Sequence, residues 1–134
     1  MTGSEIVEKA KKLIGTPYVY GAKYSDGTLT LSRLNVLKKE NPKTITDSYY
    51  NKAKKYIGQI CTDCSGLVCY CYGIGDIGSY NLYDKYEKIS LSDLKPGMMV
   101  WKPGHIGIYI GNGEVIEAKG INYGTIKSKL SDTA

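Results

Sequence analysis

Gly104-His105-Ile106-Gly107-Ile108-Tyr109-Ile110-Gly111-Asn112-Gly113-Glu114-Val115-Ile116-Glu117-Ala118 is the stretch whose reading decides the fold. Apolar residues alternate on either side of Gly-Asn-Gly, which predicts two antiparallel strands, about 105–110 and 114–119, joined by a tight hairpin. Parity chooses the loop, because side chains alternate between faces. A two-residue loop sets Glu117 opposite Ile108 and buries a carboxylate among isoleucines. A three-residue loop pairs Ile110 with Glu114, Ile108 with Ile116 and Ile106 with Ala118, so one face becomes apolar apart from Glu114. The other face then carries His105, Gly107, Tyr109, Val115 and Glu117. Glu117 falls opposite Gly107 and diagonal to His105, at a Cα separation of roughly 7–8 Å that side chains bridge. Taken alone, such a pattern is more often an exposed strand face with an incidental His and Glu. Yet His105 is the only histidine in the chain, hence the only candidate imidazole for base chemistry near neutral pH.

A nucleophile for that base lies upstream, in Asp63-Cys64-Ser65-Gly66, where loop becomes helix. A thiolate at a helix N-terminus is stabilised by the dipole and by unpaired N–H groups. Ser65 and Gly66 keep the approach open for a substrate carbonyl, and the Cys64 N–H is available to an oxyanion. Three more cysteines, Cys61, Cys69 and Cys71, crowd the same region. Structural zinc sites pair two short hooks across a longer loop. Cys69-Tyr70-Cys71 has a single intervening residue and follows Cys64 too closely, so no metal is expected. Disulfides here would link only local segments. Cys69 and Cys71 read as small buried hydrophobes, and Cys61 is left open.

Outward from these two motifs, Thr2 and Glu5 form a capping box for a helix over about 2–14, ended by Gly15-Thr16-Pro17. Tyr18 to Gly21 is extended, and 22–28 is loop. Helices are expected at about 30–40, 46–57 and 64–72, with Asn41-Pro42 between the first two. Gly73, Gly75 and Gly78 mark a flexible connection. A strand follows Leu94-Lys95-Pro96-Gly97, then the hairpin, then a weaker strand at about 125–130. Helices first and an antiparallel meander afterwards make an α+β fold.

The chain has 134 residues, 42% hydrophobic and 23% charged, which suits one globular domain over 1–134. No apolar run approaches the ~20 residues of a membrane span, and no signal-peptide core precedes the first helix. The net charge of +5 reads first as a lysine-rich solvated surface, and it is compatible with an anionic polymer as partner. No nucleic-acid motif is present. With 13 Tyr and no Phe, tyrosine supplies most aromatic packing.

Pro17-Tyr18-Val19-Tyr20-Gly21, Asp63-Cys64-Ser65-Gly66-Leu67, Leu94-Lys95-Pro96-Gly97 and Gly104 through Gly113 together resemble the NlpC/p60 family of papain-like cysteine peptidases, which cut bacterial wall peptides. The pieces occur in the family's order. The resemblance implies a papain-like fold, with Cys64 as nucleophile, His105 as base and no cofactor. Glu117 stands where the family commonly has a His, and looks like the Cys-His-Glu set of some phage-type lysins. Tyr18, Asp63 and Ser65 match positions that hold a free peptide amino group and shape the site. Residues 22–60 look like a helical insertion of the phage and prophage endolysin branch. The resemblance further implies a monomer acting on bacterial peptidoglycan, reaching the wall by phage-type release or as part of a longer protein. The bond most often cut in the family follows D-γ-glutamyl. Rival readings are an N-acetylmuramoyl-L-alanine amidase, a catalytically silent wall-binding module and an acyltransferase on a related scaffold.

Overall fold

The computed structural model describes residues 1–133. Helix α1 (Gly3–Lys12) begins at the expected capping box: Thr2 Oγ1 accepts from the Glu5 N–H, and Glu5 accepts from the Thr2 N–H. Ile6, Val7 and Ala10 form its buried face. Beyond it the chain runs extended, and Tyr18 forms a parallel bridge with Thr62. Val19 N–H donates to Thr62 O at 3.3 Å, and Thr62 N–H donates to Pro17 O at 3.0 Å. This bridge brings the Tyr18 stretch alongside the residues that lead into Cys64.

Helices α2 (Leu31–Glu40) and α3 (Asp47–Ala53) are each capped by a threonine, Thr30 and Thr46. The helix expected at 46–57 ends early, in a 3-10 turn over Lys54–Tyr56. Leu34, Leu37 and Ala53 from these helices pack with Val19, Ile45 and Cys61 into a small second core. Helix α4 (Cys64–Tyr72) matches its expected span and closes on Gly73, in the left-handed conformation at φ 68°. The main core gathers Leu67, Val68 and Cys71 of α4 with Ile6, Ala10 and Leu13 and the inward residues of the sheet. Helix α5 (Ser79–Lys85) follows the glycine-rich connection and buries only Leu82. The local pattern does not announce it, because one buried side chain in two turns leaves no periodicity to read.

Strands β1 (Met99–Lys102), β2 (His105–Gly111), β3 (Glu114–Gly120) and β4 (Gly124–Lys129) form one antiparallel sheet in the order β1-β2-β3-β4. A short helix, α6 (Leu130–Thr133), ends the described chain. The architecture is α+β, as the order of elements predicts. Strand β4 is no marginal element, for it pairs with β3 from Glu114↔Lys129 to Gly120↔Gly124. Among the described residues, no helix is long and apolar enough to cross a membrane.

Two expectations about the hairpin need correction. Ile108 pairs with Ile116 and Tyr109 with Val115, the expected register, but Gly111 rather than Ile110 pairs with Glu114. The turn is therefore Asn112-Gly113, both at positive φ (53° and 72°), as a two-residue hairpin of this hand requires. A bulge between Tyr109 and Gly111 absorbs the extra residue and restores the parity. The face bearing His105 is also not a solvent-exposed strand face. Val115 is 0% exposed and Glu117 2%, so β3 is covered on both sides.

Candidate active site

Cys64 is the first residue of α4, and the chain entering it is tied down twice. Asp63 Oδ1 accepts from the Gly66 N–H at 2.8 Å, an N-cap, and the Asp63 N–H donates to Ala22 O at 2.7 Å. Gly66 is required here. A Cβ on it would lie 2.6 Å from Thr62 Oγ1, 2.9 Å from Asp63 Oδ1 and 3.1 Å from Lys23 Cα. Cys64 is 8% exposed as a residue and belongs to the main core cluster.

His105 opens β2 and Glu117 lies within β3. Their contact is direct: His105 Nε2 and Glu117 Oε1 are 2.8 Å apart, with side chains 18% and 3% exposed. Gly107 makes this possible. The site of its missing Cβ is 2.9 Å from Val115 Cγ1 and 3.3 Å from Glu117 Cβ. The imidazole also interacts with Cys64, and with Nε2 engaged by Glu117, Nδ1 is the nitrogen left for the sulfur. Burial works to lower the His105 pKa, but Cys64 and Glu117 outweigh it and raise the value from 6.5 to about 9. Burial likewise pushes the Glu117 carboxyl up, and is outweighed by His105, Ser128 and Lys119, so its pKa lies below the usual carboxylate value. Glu117 Oε2 is buried without a hydrogen-bond partner, and Ser128 Oγ, also unpartnered, faces the carboxylate from β4.

The structure thus brings Cys64, His105 and Glu117 together. It treats Tyr18, Asp63 and Ser65 differently. Tyr18 is close to Cys64 and Asp63, and burial first, then these two neighbours, raise its hydroxyl pKa. Asp63 and Ser65 are joined by a residue that the motifs do not single out. Lys23 Nζ donates to Asp63 Oδ1 at 2.9 Å, Asp63 Oδ2 at 2.7 Å and Ser65 Oγ at 2.9 Å. No local signal distinguishes Lys23, a loop lysine forty residues before its partner. Of the other cysteines, Cys61 lies in the second core and its thiol donates to Gln59 O at 3.6 Å. Burial raises the Cys61 pKa to about 11 and that of Cys71 to about 12, and it also raises Cys69. These three are packing residues, and all four cysteines are free thiols.

A cavity of about 350 Å³ opens beside His105, walled by Tyr83, Tyr86, Leu91, Trp101 and Val115. The Tyr83 and Trp101 rings lie 4.0 Å apart between centroids, and Trp101 Nε1 donates to Ser79 O at 3.0 Å. Helix α5, through Tyr83, and strand β1, through Trp101, therefore share the aromatic wall next to the imidazole.

Known proteins with similar sequences and folds point one way. The family model described as the NlpC/P60 family matches residues 15–133. A probable endopeptidase p60 of Listeria grayi is 35% identical over 52% of this chain, and one of Listeria welshimeri is 35% identical over the same share. The chain spans only 17% and 15% of the lengths of those two relatives. Among solved structures, the NlpC/p60 domain of the peptidoglycan hydrolase SagA has a TM-score of 0.61 at 27% identity, covering 98% of this chain and 92% of that one. The peptidoglycan hydrolase RipB of Mycobacterium tuberculosis has a TM-score of 0.66 over 95% of this chain and 57% of its own, at 23% identity, a likeness of fold alone.

Proposed function

The chain belongs to the NlpC/P60 family, and from that membership and the geometry around Cys64 we propose that it hydrolyses a stem-peptide amide of bacterial peptidoglycan, the bond after D-γ-glutamyl. The observation that carries this reading is the single imidazole held at 2.8 Å by a buried carboxylate while also interacting with a cysteine at a helix N-terminus.

On this reading His105 takes the proton of Cys64, and its raised pKa lets it keep that proton until the leaving group needs it. The sulfur adds to the scissile carbonyl carbon, and the developing oxyanion meets the Cys64 N–H at the start of α4. The C–N bond breaks as His105 returns the proton to the departing amine. Water, deprotonated by His105, then cleaves the thioester, releasing the carboxylic acid and regenerating Cys64. Glu117 holds the ring's orientation and offsets its charge. The cavity walled by Tyr83 and Trp101 adjoins the imidazole and leaves room beside it for substrate. Residues 22–60 serve as a helical insertion within a single catalytic domain. Nothing in this chemistry calls for a metal or organic cofactor.

Mass analysis of fragments released from purified peptidoglycan tests the reading. New amino termini on lysine or diaminopimelate are expected. Release of intact stem peptides with L-alanine amino termini would instead identify an amidase, and no released fragment at all would overturn hydrolysis.

A further inference from the structure

Lys23 is held in place as part of the site. All three donors of its ammonium are used, two on Asp63 and one on Ser65. Its side chain is 21% exposed and that of Asp63 12%. The backbone is fixed as well: Lys23 N–H donates to Asp26 Oδ2 at 3.2 Å, and the preceding carbonyl, Ala22 O, accepts from the Asp63 N–H at 2.7 Å. Lys23 Cα presses against α4 at Gly66, the one residue without a Cβ to block it.

Asp63 and Ser65 flank the nucleophile in sequence. A carboxylate and a hydroxyl at that position would suit an ammonium ligand, but here the ammonium is the chain's own. The receptor is already filled and neutralised. A second ammonium arriving from a substrate would meet the like charge of Lys23 beside a carboxylate that is already neutralised, whereas an uncharged amide meets no such repulsion.

We propose that Lys23 is a specificity-determining residue that turns the enzyme toward stem peptides whose N-terminus is acylated, as it is when joined to muramic acid, and away from peptides with a free amino group. This rests on the hydrolase reading above and names its substrate class. The intact wall, rather than peptides already freed from it, becomes the substrate.

The test compares two soluble substrates of the wild-type protein, muramoyl-L-Ala-D-γ-Glu-L-Lys and the same tripeptide with a free N-terminus, each followed by release of L-lysine. The expected result is kcat/KM at least tenfold higher for the muramoyl substrate. Lys23→Met, which keeps the chain length and removes the ammonium, is expected to narrow that ratio by raising kcat/KM on the free tripeptide. Equal or better cleavage of the free tripeptide by the wild type would overturn the proposal and leave the hydrolase reading standing. Release of lysine amino termini from neither substrate nor from purified wall would overturn both. An unchanged ratio in folded Lys23→Met would overturn the proposal as well, and Lys23→Gln carries the same comparison should that variant not fold.

Discussion

Glu117 is buried, anionic and held by one partner, and that combination makes it the residue on which His105 depends. Because Cys64 and Glu117 together raise the His105 pKa from 6.5 to about 9, the stability that the imidazolium draws from these two neighbours is full below pH 6.5 and is lost as pH rises through about 9. Glu117→Gln keeps the shape and removes the charge. Its unfolding midpoint is expected to fall less than that of the wild type between pH 6.5 and 9, as read by thermal melts across that range. Proton delivery to the leaving amine also needs the imidazolium, so the alkaline limb of the pH–activity profile should move to lower pH in the variant. Turnover should fall on the order of 10²-fold. An unchanged profile would remove Glu117 from the site. At this scale the sequence is eloquent about His105 and Cys64, since one has no competitor and the other sits at a helix entrance. It is silent about Lys23, one of 18 basic residues, because a contact across forty residues leaves no local mark.

The elements that hold these residues are a helix start and a bulged hairpin. Parity along 105–118 identifies the face of Glu117 because only one register keeps the isoleucines together. Parity cannot tell a three-residue loop from a two-residue turn with a bulge, since both leave the same alternation. The positive φ values at Asn112 and Gly113 decide for the turn. Burial of that face leaves no local mark. Alternation shows which residues share a side, whereas the cover over Val115 and Glu117 comes from distant segments. Gly107 is the point where hairpin and chemistry meet. Gly107→Val would place a Cβ 2.9 Å from Val115 Cγ1 and 3.1 Å from Ile116 O, both in the closely packed sheet. It is expected to cost roughly 1–3 kcal/mol in denaturant unfolding and to lower kcat by displacing Glu117. Wild-type stability and kcat together would show that the close approach is not needed.

At the scale of the molecule, two apolar clusters divide the work. The main one carries Cys64 and the sheet, and the second holds α2, α3 and Cys61. Leu34, fully buried in the second, tests how far they share stability. Leu34→Ala should cost about 2–5 kcal/mol, seen as a lower urea midpoint with unchanged slope. Turnover on wall well below the melting temperature should change by less than tenfold, because Cys64 lies in the other cluster and neither His105 nor Glu117 belongs to the second. The helix–sheet order was legible from periodicity and turn residues, and α5 was not, although its Tyr83 stacks on Trp101 in the wall beside His105. The central claim is that Cys64 is the nucleophile of a wall hydrolase. The most direct measurement is the rate at which new amino groups appear in purified peptidoglycan treated with the wild type and with Cys64→Ala, the variant's fold checked by circular dichroism. Amine release by the wild type and none above background from a folded Cys64→Ala is the predicted result. Undiminished release by the variant would contradict the account.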